Sequence, residues 1–163
     1  MTTDKPMVRA ALATDREAVV ALAASSGLFP PEGAEEVVAT FDRSANGSDP
    51  DALWSVITTG GDVVGVSYLG PEQMANGTWN LFFLAVDSER RNSGLGGSLV
   101  AAAEIAVRDR GGRVLLIETS GQDGFDRQRA FYARLGYTLE ARIRDYYDHG
   151  DDKVVFWKDM AGE

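Results

Sequence analysis

The chain has 163 residues, 25 of them acidic and 16 basic, and carries a formal charge of −9. That length suits a single domain spanning 1–163, near the usual ~100 to 150 residues, and the charge argues against nucleic acid or an anionic membrane as partner while agreeing with a cationic amine substrate. Cysteine is absent and His149 is the one histidine, which removes disulfides, thiolate metal sites and a cysteine nucleophile, and leaves little for zinc or a Ser-His-Asp arrangement.

The elements follow in order. Met7 to Ala10 predicts a first strand, with the residues before it expected to be disordered. Thr14-Asp15-Arg16-Glu17 reads as a capping box opening a helix to about Ser25, with Val19, Leu22 and Ala23 as its apolar stripe and Gly27 as its stop. The apolar run from Val19 to Ala24 is too short for a leader, and no run approaches the ~20 residues that span a bilayer, so a cytoplasmic location is expected. After Leu28-Phe29-Pro30-Pro31, where proline interrupts any helix, a second helix is expected over Glu32 to Asp42.

Strands are predicted at Leu53 to Ile57 and Val63 to Tyr68, joined by a hairpin at Thr59-Gly60-Gly61-Asp62. Pro71 to Gly77 reads as a loop and Trp79 to Val86 as the next strand. Asn80 to Val107 then passes from strand through Gly94, Gly96 and Gly97 into a helix whose Leu99, Ala102, Ala103 and Ala106 repeat at helical spacing. Gly111-Gly112 ends that helix. Arg113 to Thr119 is a buried strand, so strand, helix and strand imply a parallel pair with a crossover. A helix at Phe125 to Leu135 stops at Gly136, and strands Tyr137 to Arg144 and Val154 to Lys158 flank an acidic turn.

A helix N-terminus leaves backbone N–H groups unpaired and partly positive, which suits phosphate, and glycine there lets a ligand approach the backbone. Gly94-Leu95-Gly96-Gly97 lacks the third glycine of a dinucleotide fingerprint, and no Lys-Ser/Thr follows as a P-loop would require. Arg91-Asn92-Ser93-Gly94-Leu95-Gly96 instead resembles the R/Q-x-x-G-x-G/A signature of the GNAT superfamily of N-acetyltransferases, in which this turn grips the pyrophosphate of acetyl-coenzyme A. Leu84-Ala85-Val86 resembles that family's strand end. Ala130 to Tyr137 resembles its later A-x-x-F-Y-x-x-x-G-F junction.

The resemblance covers about Leu53 to Lys158. It implies a mixed α+β fold: a twisted, largely antiparallel sheet of about seven strands with one parallel pair and about four helices. The implied activity is acetyl transfer from acetyl-CoA, without a metal, to a primary amine by direct attack in a ternary complex. Cofactor contacts fall on Leu84, Ala85, Val86, Arg91, Asn92, Ser93, Gly94, Leu95, Gly96 and Gly97, with the Ala85 or Val86 amide facing the thioester oxygen.

Ile117-Glu118-Thr119 resembles the Leu-Glu-Val of ribosomal-protein alanine N-acetyltransferases, which makes Glu118 the expected base, a carboxylate whose partial desolvation would suit it to the task. Tyr132 falls at the position of the family's acid. With a phenol's ~10 it stays protonated at neutral pH, and against a thiol's ~8.5 transfer of its proton to the leaving thiolate is expected to be feasible. Phe29, Tyr146 and Tyr147 are expected near the acceptor. Phe125 stands where that group carries an asparagine to the pantetheine arm, and the segment from Glu118 to Tyr132 is about two residues longer. The acceptor is an amine-bearing small molecule, an amino acid or a protein N-terminus, and the protein a monomer or homodimer. A non-catalytic acyl-CoA binding or sensing module is the alternative, and a nucleotide-binding domain a more distant one.

Overall fold

The structure, a computed structural model, describes residues 4–162, so the disorder expected before Met7 concerns in part residues outside those described. The chain runs β1 (Met7–Ala10), α1 (Arg16–Ser25), α2 (Pro31–Ala45), β2 (Leu53–Thr59), β3 (Asp62–Pro71), β4 (Thr78–Val86), α3 (Leu95–Asp109), β5 (Val114–Ser120), α4 (Asp126–Arg134), β6 (Thr138–Asp148) and β7 (Asp151–Asp159). The strands form one seven-stranded sheet in the order β1-β2-β3-β4-β5-β7-β6. Within it β4 and β5 are parallel, while β1–β2, β2–β3, β5–β7 and β6–β7 are antiparallel. The expected seven strands, single parallel pair and four helices are therefore present.

Residues cluster into two compact units: one takes the chain up to Gly70 together with Phe83–Ala103, the other takes Pro71–Phe82 together with the chain from Glu104. In the first, the α1 stripe of Val19, Leu22 and Ala23 buries against Phe41, Trp54, Val56, Val66, Phe83 and Ala85. Trp54 stacks on Tyr68 at 4.8 Å and takes the edge of Phe41 at 5.2 Å. Each such large apolar side chain stabilises by about 1.5–3 kcal/mol through the water it sheds. Gly60 and Gly61 turn the β2–β3 hairpin with φ of 59° and 84°, the pair of positive angles that a two-residue turn of this hand requires. At Gly65 a Cβ would stand 2.8 Å from Ile57 Cγ2 and 3.2 Å from Leu99 Cδ1, so glycine is what lets α3 settle onto the strands.

In the second unit β5 is central, with Leu115 and Ile117 buried, and β6 forms an edge exposed along its whole length. Tyr132 of α4 packs against Phe156 at 5.8 Å and edge-on to Tyr137 at 6.4 Å. Lys158 Nζ ties this side together, lying 2.5 Å from Glu104 and donating to the Leu135 carbonyl at 2.9 Å.

Three expectations need correction. Thr14 and Glu17 do not cap α1. The chain enters through a short 3-10 turn at Ala13–Asp15, and Asp15 reaches back to accept the Leu12 N–H at 2.7 Å. Arg9 locks that carboxylate with two donors at 2.7 and 3.0 Å. Helix α2 runs one turn further than expected, to Ala45, because no breaker precedes Asn46. The final hairpin is also longer, turning only at His149-Gly150, where Gly150 has φ of 81°.

Asp15 is 7% exposed, and the Arg9 hydrogen bond holds its carboxyl below the ordinary carboxylate value. Its stabilising contribution is therefore present above the unfolded value near ~3.9 and is lost as pH falls through the lower folded value. Asp15→Asn is expected to cost about 1.5–3 kcal/mol in urea unfolding at pH 7, and the gap to wild type should narrow as the pH is lowered toward 3.

Candidate active site

The glycine turn lies in the first unit, after β4. Asp87 starts it: its N–H donates to the Val64 carbonyl at 2.9 Å and its side chain accepts from the Glu89 N–H at 3.1 Å. Asn92 and Gly94 have φ of 65° and 81°, a conformation that glycine adopts freely and asparagine tolerates. Ser93 Oγ donates to the Arg90 carbonyl, and the Ser98 N–H makes an early bond of α3 to the Gly94 carbonyl at 3.1 Å. Arg91, Asn92, Ser93 and Gly94 are all exposed. A Cβ on Gly94 or Gly97 would meet no atom within 4 Å, so open space lies over the backbone at both.

Pro6, Thr59, Glu89, Arg90, Arg91, Ser93 and Leu95 line a cleft of about 320 Å³ beside this turn. The residues fit a diphosphate: unpaired amides at a helix start, two arginines, and glycines that leave the approach clear. The other residues expected at the cofactor are placed differently. Leu84, Val86 and Leu95 pack with Ile57, Val64 and Leu99, and Ala85 sits in the core with Phe83, so the side chains of Ala85 and Leu95 are buried while those of Leu84 and Val86 stay partly exposed. Phe29, in the loop between α1 and α2, packs on Phe83 at 5.5 Å.

Glu118 lies in the second unit, directly after the parallel ladder, which covers Thr78–Leu81 and Val114–Ile117. Its carboxylate is not in apolar surroundings. Oε1 accepts from Asn80 Nδ2 at 3.1 Å and Oε2 pairs with Lys153 Nζ at 2.8 Å, with 26% of the side chain exposed. Burial works against the Lys153 charge more than any other single influence, yet its hydrogen bonds and attraction to Glu118 and Tyr146 together hold it above the ordinary lysine value. The Lys153 ammonium also stands 4.0 Å over the Tyr146 ring, and Tyr146 meets Tyr147 edge-on at 5.1 Å. Burial first, then the Glu118 charge, push the Tyr147 phenol up to about 12. Glu118, Tyr146 and Tyr147 are thus brought together.

Tyr132 is 7% exposed, and burial pushes its phenol well above the ordinary value. It stays protonated, and it is a weaker acid than an exposed tyrosine.

Sequence reasoning missed the surroundings of Glu118: Lys153, Asn80 and, beyond Asn80, Glu72, whose Oε1 accepts from Asn80 Nδ2 at 2.8 Å. A lysine amid apolar strand residues and an asparagine beginning an apolar run were the available signals. Among the described residues no group of three His, Cys, Asp or Glu side chains could hold a metal, and no helix is long and apolar enough to cross a membrane.

A mixed sheet whose one parallel pair is connected through an open glycine turn and a helix is the arrangement that the resemblance implied. Residues 18–137 match the model of the Acetyltransferase (GNAT) family. A protein from Desulfovibrio desulfuricans assigned to the GNAT acetyltransferases is 33% identical, with a TM-score of 0.91 over 96% of this chain and 100% of that one. A ribosomal-protein-alanine N-acetyltransferase from Brucella melitensis shares the fold at 19% identity and TM-score 0.75, covering 94% of this chain and 99% of that one. So does yncA of Salmonella typhimurium, solved with acetyl-CoA, at 14% identity and TM-score 0.77, covering 98% and 96%. No curated protein matches the chain. The protein belongs to the GNAT family. It is an acetyl-CoA-dependent N-acetyltransferase.

Gly94→Val should strain a backbone at φ of 81° and project a branched side chain into open space without touching the core. Calorimetry is expected to show coenzyme A binding weakened at least ~10-fold, with far-UV circular dichroism unchanged. Unaltered affinity would remove this turn from the cofactor site.

Proposed function

We propose that the protein acetylates a primary amine by direct attack, with Glu118 as general base and Tyr132 as hydrogen-bond donor to the departing sulfur. The observation that carries this reading is the Glu118 carboxylate, partly exposed after the last ladder residue and fixed by one donor on each oxygen. A carboxylate offers about four lone-pair sites, so two stay open to an incoming ammonium group. Direct attack is favoured over an acyl-enzyme because the chain has no cysteine to serve as a thiolate nucleophile.

Backbone amides within 91–97, with Arg91, would hold the diphosphate of acetyl-CoA, and the Ala85 or Val86 N–H would face the acetyl oxygen. The Asp87 N–H is already taken by Val64. When bound, acetyl-CoA supplies a thioester carbonyl open to an amine and a thiol leaving group. Glu118 takes one proton from the ammonium nitrogen and so frees the lone pair that attack needs. A second proton, lost as the C–N bond becomes an amide, balances the charge left on sulfur when the C–S bond breaks.

For Tyr132 the raised phenol matters. A thiol near ~8.5 is a stronger acid than any tyrosine at or above ~10, so net proton loss from the phenol runs uphill and burial steepens it. A hydrogen bond from Oη to the developing thiolate involves no such cost. Tyr146 and Tyr147 supply aromatic surface for the acceptor, whereas Phe29 is better explained by its packing. A protein N-terminus is supported as one acceptor class by the fold shared with the Brucella enzyme, and a small amine or amino acid is the other.

An amine panel offered with acetyl-CoA, followed by free thiol release, tests the assignment. Glu118→Gln is expected to lower kcat at least ~100-fold. Tyr132→Phe should slow turnover while calorimetric affinity for coenzyme A stays within about twofold. Wild-type kcat/KM in Glu118→Gln would overturn the role of the base.

A further inference from the structure

Glu72 has no part in the roles above, yet it shares a hydrogen-bond donor with the base. Half-buried just beyond Pro71, it accepts from Asn80 Nδ2 at 2.8 Å, and Glu118 accepts from the same nitrogen at 3.1 Å. Two carboxylates converging on one amide repel each other. Lys153 offsets Glu118 at 2.8 Å, but no Lys, Arg or His among the described residues pairs with Glu72, so the cluster keeps one negative charge. Asn80 is 1% exposed, its Nδ2 is the buried meeting point of both carboxylates, and its Oδ1, buried as well, lacks a donor. One positive charge and several N–H donors are what a primary ammonium group brings.

We propose that Glu72 is the counter-ion of the acceptor's ammonium group, and that its pairing with Glu118 selects primary amines with no carboxylate on the carbon bearing the nitrogen. This rests on the reading of Glu118 as base. An ammonium nitrogen held by Glu72 lies beside Glu118, which then removes its proton. Lys153 is committed to Glu118 and Tyr146, so the carboxylate of a free α-amino acid would enter beside Glu72 with no cation to meet it. Simple amines, amino-acid amides and peptide N-termini carry no such group. Tyr147, close enough to Glu118 to feel its charge, gives the rest of such an acceptor an apolar wall.

The test uses binding and turnover together. Propylammonium titrated into ¹⁵N-labelled protein should shift the Asn80 side-chain amide saturably, and Glu72→Gln, which can still accept from Asn80, should weaken that binding at least tenfold while coenzyme A affinity holds. With acetyl-CoA, alaninamide should exceed free alanine at least tenfold in kcat/KM, and Glu72→Gln should raise the alaninamide KM more than it lowers kcat. A saturable, Glu72-dependent shift without turnover upholds the subsite and rejects Glu118 as base. Turnover that Glu72→Gln leaves unaltered, or an Asn80 amide that does not respond to propylammonium, overturns the subsite while the base assignment stands.

Discussion

The Glu118 cluster depends on the four-residue parallel ladder in which Thr78–Leu81 of β4 pairs with Val114–Ile117 of β5. Parallel neighbours cannot be joined by a tight turn, so a crossover is obligatory, and here it comprises the glycine turn and α3. The ladder also fixes faces. Asn80 is opposite Leu116, and Glu118, two residues further along β5, projects to the same side. In the antiparallel pair with β7, Glu118 is opposite Val155 and Ser120 opposite Lys153, which puts Lys153 on that side as well. A slip of one residue in either register would turn the amide or the ammonium away from the carboxylate.

The cluster so formed is costly in isolation. Lys153 keeps 11% of its side chain exposed, and an ammonium that far from water is tolerated only because Glu118 and the Tyr146 ring face it. Removing either charge would leave the other uncompensated, so a substitution at Lys153 would report on folding as well as chemistry. Asn80 does not share this difficulty. As a neutral donor it can hold two carboxylates without adding a charge of its own, and so the cluster stays poised for a cation from outside.

The strand, glycine turn and helix were legible in the sequence because their physics is local: an apolar run, residues permitting positive φ, then apolar side chains at helical spacing. The motif's meaning came from resemblance, and the family match over 18–137 agrees with it. Glu118 was legible as an acid closing the apolar run Val114 to Ile117. Its partners were not, since Asn80 and Lys153 stand 38 and 35 positions away in sequence and become neighbours only through strand register. The Asp15 turn was missed for a related reason. Thr14 and Glu17 satisfy a local capping pattern, but Arg9, on the preceding strand, holds the Asp15 carboxylate where it accepts the Leu12 N–H. Tyr132 was found by position in a motif, and only the structure shows how deeply it is buried.

Strand β6 shows how one irregularity can meet two demands. It is an edge of eleven residues, exposed throughout, with Leu139 and Ile143 on its surface, and such an edge invites another strand. Its register with β7 breaks between Ile143 and Asp148, where Asp145 has φ of 53° and donates its N–H to Asp152 Oδ1 at 3.0 Å while its own carboxylate accepts from the Gly150 N–H at 2.9 Å. Arg142 pairs with the same Asp152 carboxylate at 2.9 Å. Charge and bulge together spoil a flat pairing edge. The same bulge takes Tyr146 out of strict alternation and sets its ring beneath Lys153, with Tyr147 next to it. A straight edge strand would keep neighbouring side chains on opposite faces, and the two tyrosines could not then meet at 5.1 Å.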